Sequence, residues 1–72
     1  MTAREWIDDF AGRLGIEAPD DKTIDALLAL AGDAAHASER IAAPIACYLV
    51  GRAGLDPKTA KQLAEKIGHA LA

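Results

Sequence analysis

Apolar side chains recur at helical spacing in four stretches of the chain, and no stretch alternates as a half-buried strand would. In the first stretch Trp6, Ile7, Phe10, Ala11 and Leu14 share one face. Thr2-Ala3-Arg4-Glu5 opens it and matches a capping box. The Thr2 side chain can accept from the amide three residues on, and Glu5 can reach back to the Thr2 amide. Gly15 supplies a left-handed stop. A first helix is expected over 3–14.

Ile16-Glu17-Ala18-Pro19 is a connector, and Asp20 and Asp21 are candidate caps. Ile24, Leu27, Leu28 and Ala31 form the next stripe and predict a helix over 21–36. Gly32 lies inside it and costs up to ~1 kcal/mol against alanine. A close approach by another helix is the expected compensation. The last stripe is Ala60, Leu63, Ala64, Ile67 and Leu71, opened by Asp56 as cap and Pro57 at the first helical position. It predicts a helix over 57–71.

Between these lies a polar cluster, His36-Ala37-Ser38-Glu39-Arg40, followed by a stripe of Ile41, Ile45, Tyr48 or Leu49, and Arg52. Ser38 reads as an N-cap, with Glu39 at the positive end of a new helix. Pro44 has no amide hydrogen and crowds the carbonyl of Arg40. The helix either starts at Ser38 and kinks, or starts at Pro44. Because Ile41 keeps the stripe, the reading adopted is 38–53, kinked near Pro44 and closed by Gly51 and Gly54. The whole is an all-α, small four-helix domain occupying 1–72. Its short connections imply roughly antiparallel neighbours.

Composition sharpens this picture. A chain of 72 residues buries a modest core. Its apolar fraction of 51% excludes a disordered tail, yet much of that is alanine, with one Trp, one Tyr and one Phe. Trp6, Phe10, Tyr48 and the leucines are therefore expected to carry the core, and dimerisation or docking on another protein would add burial. The net charge of −3 argues against a nucleic-acid partner, since phosphate neutralisation needs a basic face. The charge is uneven. Residues 1–36 hold eight acids and three bases, and residues 37–72 hold three acids and five bases. Either the halves face each other in the fold, or the second half meets an acidic or phosphorylated partner. Cys47 is the single cysteine, so an internal disulfide is impossible and a small buried thiol is expected. No apolar run approaches the ~20 residues of a membrane span, and no basic-then-apolar leader is present. The expectation is a cytoplasmic protein with no membrane contact.

Candidate chemistry concentrates in the polar cluster. Ser38, His36 and Glu39 cannot make a triad, because triad groups converge from different directions and near neighbours on a helix diverge. Cys47 with His36 or His69 is a weak nucleophile–base pair on paper. Asp33, His36 and Glu39 step by threes, but a di-metal bundle needs matching ligands from other helices, and none is offered. Ser38 as a phosphopantetheine attachment site would need an Asp before it and a Leu or Ile after it, where this chain has Ala37 and Glu39. No catalytic residue, metal site or cofactor is assigned. What remains is a binding site of His36, Ser38, Glu39 and Arg40. Helix-start amides and the Arg40 fork could hold an anion there, with Ser38 and His36 donating and Glu39 opposing. The structural alternative is a joint in which His36 favours the end of one helix, Ser38 caps the next, and Arg40 pairs with Asp33 or Glu39.

The runs "REW…F…LG", "IDALLALAG" and "AAHASERIAAPIACYLVGRAGL" resemble a small actinobacterial helical family. Trp6, His36, Ser38, Glu39, Arg40, Pro44 and Gly51 carry the resemblance. Its members stand alone or are fused to molybdenum-cofactor guanylyltransferase domains, and bear a molybdopterin-guanine dinucleotide biosynthesis label. The resemblance implies a non-catalytic accessory or interaction domain in molybdenum-cofactor biosynthesis, with the guanylyltransferase as partner. The chain lacks the glycine-rich loop and parallel sheet that such a transferase needs, so it would assist that enzyme. Two other functions stay open: a small-anion or nucleotide-phosphate binder at the start of the third helix, and a self-associating helical bundle that forms a homodimer.

Overall fold

A computed structural model describes residues 1–70. Four helices follow in order: α1 (Ala3–Leu14), α2 (Asp21–Ala37), α3 (Ala42–Ala53) and α4 (Pro57–Ala70). The described residues contain no strand. The predicted continuation of the last helix to Leu71 lies outside them.

Local chemistry sets most of the boundaries. The α1 capping box is complete: the Glu5 amide donates to Thr2 Oγ1 at 3.1 Å, and the Thr2 amide donates to Glu5 Oε1 at 2.8 Å. Gly15 ends α1 at φ 77°, and the Ile16 amide closes the turn onto the Ala11 carbonyl at 3.0 Å. Asp20, and not Asp21, caps α2, accepting from the Thr23 amide at 2.8 Å. Asp56 does the same ahead of α4, from the Thr59 amide at 3.2 Å.

The start of α3 departs from expectation. It begins at Ala42, not at Ser38, and the predicted kinked helix over 38–53 is replaced by a break over 38–41. Pro44 is the third residue of α3. An amide there would find no acceptor within the helix, so a proline costs nothing in lost bonds. A helix running from Ser38 would have set the Pro44 ring against the Arg40 carbonyl, and the break removes that clash. Ser38 closes α2, with its hydroxyl donating to the Ala34 carbonyl at 2.8 Å.

α2 is the hub. It packs against α3 and against α4, while α1 makes no comparable contact with any other helix. The molecule is consequently long, 42 × 23 × 18 Å, with a radius of gyration of 13.0 Å. A compact chain of this length would have about 11 Å. The one side-chain tie from α1 to α2 among the described residues runs from Arg4 to Asp21, 3.0 Å apart, and Arg4 also meets Asp8 at 3.2 Å.

This arrangement overturns the expected core. Trp6, Phe10 and Tyr48 are exposed, Trp6 by 55%, and the buried apolar residues are Ala11, Leu30 and Ala60. Within the α1 stripe Ala11 is buried and Ile7 half-buried, but the Trp6 and Phe10 rings stay exposed and lie against each other, tilted by 35° with centroids 5.0 Å apart. Gly32 also differs from expectation, because a methyl added there would meet nothing within 4 Å. The charge asymmetry is answered at α2. This acidic-half helix lies against α3 and α4 of the basic half, and Asp33 reaches Lys61 at 3.2 Å.

Candidate functional site

The polar cluster forms the α2–α3 joint at one end of the molecule. His36 sits in the last turn of α2, where a cationic imidazole would favour the negative end of the helix. Ser38, Glu39 and Arg40 follow in the turn, and all four side chains are exposed. The structure therefore keeps them together as a surface patch without turning them toward one another. No ion pair or side-chain hydrogen bond involves His36, Glu39 or Arg40 among the described residues. The expected pairing of Arg40 with Asp33 does not form, since Asp33 turns to Lys61. Asp33 and His36 lie on α2 and Glu39 beyond its end, so the three do not share a helical face. Among the described residues no group of three His, Cys, Asp or Glu side chains is placed to hold a metal ion. Cys47 is half-buried.

The helix start is not open to an anion. Ile41 precedes α3 without any side-chain cap. The Ala42 amide already donates to the Glu39 carbonyl at 2.9 Å, and the Ala43 amide to the Arg40 carbonyl at 3.2 Å. Pro44 has no amide hydrogen. Three of the donors that an anion at this end would use are thus engaged or absent. What the joint does present is Ile41, 72% exposed, directly beside Arg40. A shallow hollow of about 480 Å³ lies between Ile41, Ser38 and Ile45.

A second feature was not anticipated residue by residue. An apolar groove of about 290 Å³ runs where α2, α3 and α4 meet. Its floor is alanine, including Ala34, Ala46 and Ala64, and its rim is Ile45, Leu49 and Ile67. Alanines on three facing helices leave space between backbones that larger side chains would fill. Ile45, Leu49 and Ile67 are each more than half exposed as a result. The alanine count was visible in the sequence. Which alanines face one another depends on the packing of three helices.

The chain belongs to a family described as a domain of unknown function, DUF6457, which matches residues 1–72. No curated protein and no solved structure matches it.

Proposed function

We propose that this chain is a non-catalytic helical interaction domain whose α2–α3 joint docks on another protein. The observation that carries the reading is the pairing of Ile41 and Arg40 at the joint. A large aliphatic side chain, 72% exposed, follows in sequence an exposed arginine that has no acidic partner among the described residues. Neither is used by the fold. An apolar anchor beside an arginine is the composition that protein interfaces favour, with the aliphatic group excluding water and the fork reaching a carboxylate. His36 and Ser38 add hydrogen-bonding groups at the rim, and Glu39 suits a basic partner group.

The resemblance to domains found alone or fused to molybdenum-cofactor guanylyltransferases supplies the partner. On this reading the domain assists molybdopterin-guanine dinucleotide biosynthesis in the cytoplasm by binding the transferase, without itself carrying a nucleotide loop. The test is calorimetric titration into the catalytic guanylyltransferase domain of the same organism, with and without GTP. Binding at micromolar level or tighter is expected, and Arg40→Ala and Ile41→Ser should each weaken it about tenfold. Absence of binding in both conditions would end the assignment of this partner.

A further inference from the structure

We infer that two copies of this chain associate reciprocally, α1 of each lying in the α2–α3–α4 groove of the other. The first observation is area. The chain exposes 5706 Å², whereas a compact chain of 7.5 kDa exposes about 4,200 Å². The excess per chain is on the order of 1,500 Å², so a twofold pair that covers it buries about 3,000 Å² in total, within the range of obligate homodimers. A twofold pair also closes, leaving no unused face to build fibres.

Complementary shape identifies the two surfaces. Trp6, Phe10 and Leu14 follow at four-residue steps along α1, and each is about half exposed. They form a single ridge without a groove. The α2–α3–α4 groove has an alanine floor and lacks a ridge. The chain's own α1 is held away from it. The short connector over 15–20 ties the end of α1 to the start of α2, where the exposed Arg4–Asp21 pair also lies. The groove begins at Asp33, about 18 Å further along α2 at 1.5 Å per residue. A second molecule is free of that tether.

Charge does not oppose this pairing. Residues 3–14 carry Glu5, Asp8 and Asp9 against Arg4 and Arg13, a net of −1. Residues 42–70 carry Arg52, Lys58, Lys61 and Lys66 against Asp56 and Glu65, a net of +2. Of the charged residues Asp33 alone lines the groove, and Lys61 pairs with it, so an acidic α1 meets no unpaired like charge there. Arg40 and Ile41 do not line the groove, whereas Ser38 and Ile45 border both it and the hollow beside Ile41.

The test uses the full chain. Sedimentation equilibrium should give a dimer with micromolar or tighter dissociation. In a dimer mixed from isotope-labelled and unlabelled chains, filtered NOE spectra should connect the Trp6 and Phe10 rings of one copy to the Ile45 and Leu49 methyls of the other. Phe10→Asp and Leu49→Asp should each weaken the dimer at least about tenfold. Their equimolar mixture should recover a heterodimer, because one α1 and one groove remain intact. A monomer throughout the high micromolar range would overturn the proposal, and so would a dimer whose NOEs join α1 to α1. The same holds for a groove occupied by α1 of its own chain, or one that only the guanylyltransferase fills. Because the NOE measurement is made on the unaltered chain, a variant that fails to fold does not remove the test.

Discussion

The Lys61 ammonium stands 3.2 Å from Asp33 Oδ2 and joins α4 to α2 where Asp33 borders the apolar groove. Lys61 is held from its other side by Glu65, one turn further along α4. Asp33 Oδ2 is buried and makes no hydrogen bond, so the nearby charge is what answers its desolvation. The same contact decides the character of the joint, because an Asp33 committed to Lys61 leaves Arg40 to other partners.

Lys61→Met should therefore destabilise the fold more than Lys66→Met, an equally long replacement on the same helix. Thermal melts of the two variants at neutral pH check this. Glu65, and after it Asp33, raise the Lys61 pKa above its ordinary value. The sign follows directly: this contribution is whole below the ordinary lysine pKa and is lost as pH rises through the elevated one. The gap between Lys61→Met and the parent should then be flat across neutral pH and close only in strong alkali.

Two neighbouring leucines should behave very differently. Leu30 is 2% exposed and Leu28 is 66% exposed. Leu30→Ala should cost about 2–5 kcal/mol, the range for a buried leucine whose site cannot collapse. For a domain this small that is enough to unfold it. Leu28→Ala should change little. Urea titrations of both variants give the comparison.

Glycine substitutions should have opposite signs at two sites. At Gly32 an added methyl meets nothing within 4 Å, and the backbone is helical. Gly32→Ala should stabilise by about 0.5–1 kcal/mol. At Gly15 the φ of 77° lies in the left-handed region, and alanine there should destabilise by about 1 kcal/mol. A Gly32→Ala variant that melts earlier than the parent would reveal a partner surface pressed against that turn.

These cases show which parts of the fold the sequence makes legible. Boundaries fixed by a residue's own backbone chemistry are plain: Thr2 with Glu5, Gly15, Asp20, and Asp56 with Pro57 all act within four residues of themselves. Ser38 is ambiguous because a serine hydroxyl can cap the helix after it or bond back to the one before it. Only the Ala34 carbonyl at 2.8 Å decides between them. The groove and the position of α1 are set by which alanines meet across three helices, and no periodicity encodes that. In the candidate site, the adjacency of His36, Ser38, Glu39 and Arg40 is visible along the chain. That Asp33 turns away to α4, and that the α3 amides are already bonded, depends on the turn geometry.

Acid should weaken the fold through its caps. The backbone amide of Thr2, and then its hydroxyl, lower the Glu5 pKa. Thr23 lowers that of Asp20, through its side chain first and its backbone second. Groups with depressed folded values stabilise above their unfolded values and lose that contribution as pH falls through the folded ones. Helicity by circular dichroism should hold from neutral pH to about pH 5 and decline below about pH 4. A Glu5→Gln, Asp20→Asn double variant should be less stable than the parent at neutral pH and indistinguishable from it in strong acid. A difference that persists in acid would assign the effect to shape and not to charge.

The α2–α3 joint should be indifferent to anions. A phosphate at the start of α3 needs amides that point outward unpaired. The Ala42 and Ala43 amides are bonded to the Glu39 and Arg40 carbonyls, and Pro44 offers none. Arg40 alone, exposed to solvent, gives at most a screened contact. A bound ligand raises the melting temperature with the logarithm of its concentration once it exceeds its dissociation constant. Phosphate and GTP titrated to about 10 mM should thus leave the melting temperature of the isolated domain unchanged, at constant ionic strength. A logarithmic rise that Arg40→Ala abolishes would mean that the turn over 38–41 opens in solution and frees its amides. It would then make this end of α3 a phosphate site rather than a protein-docking patch.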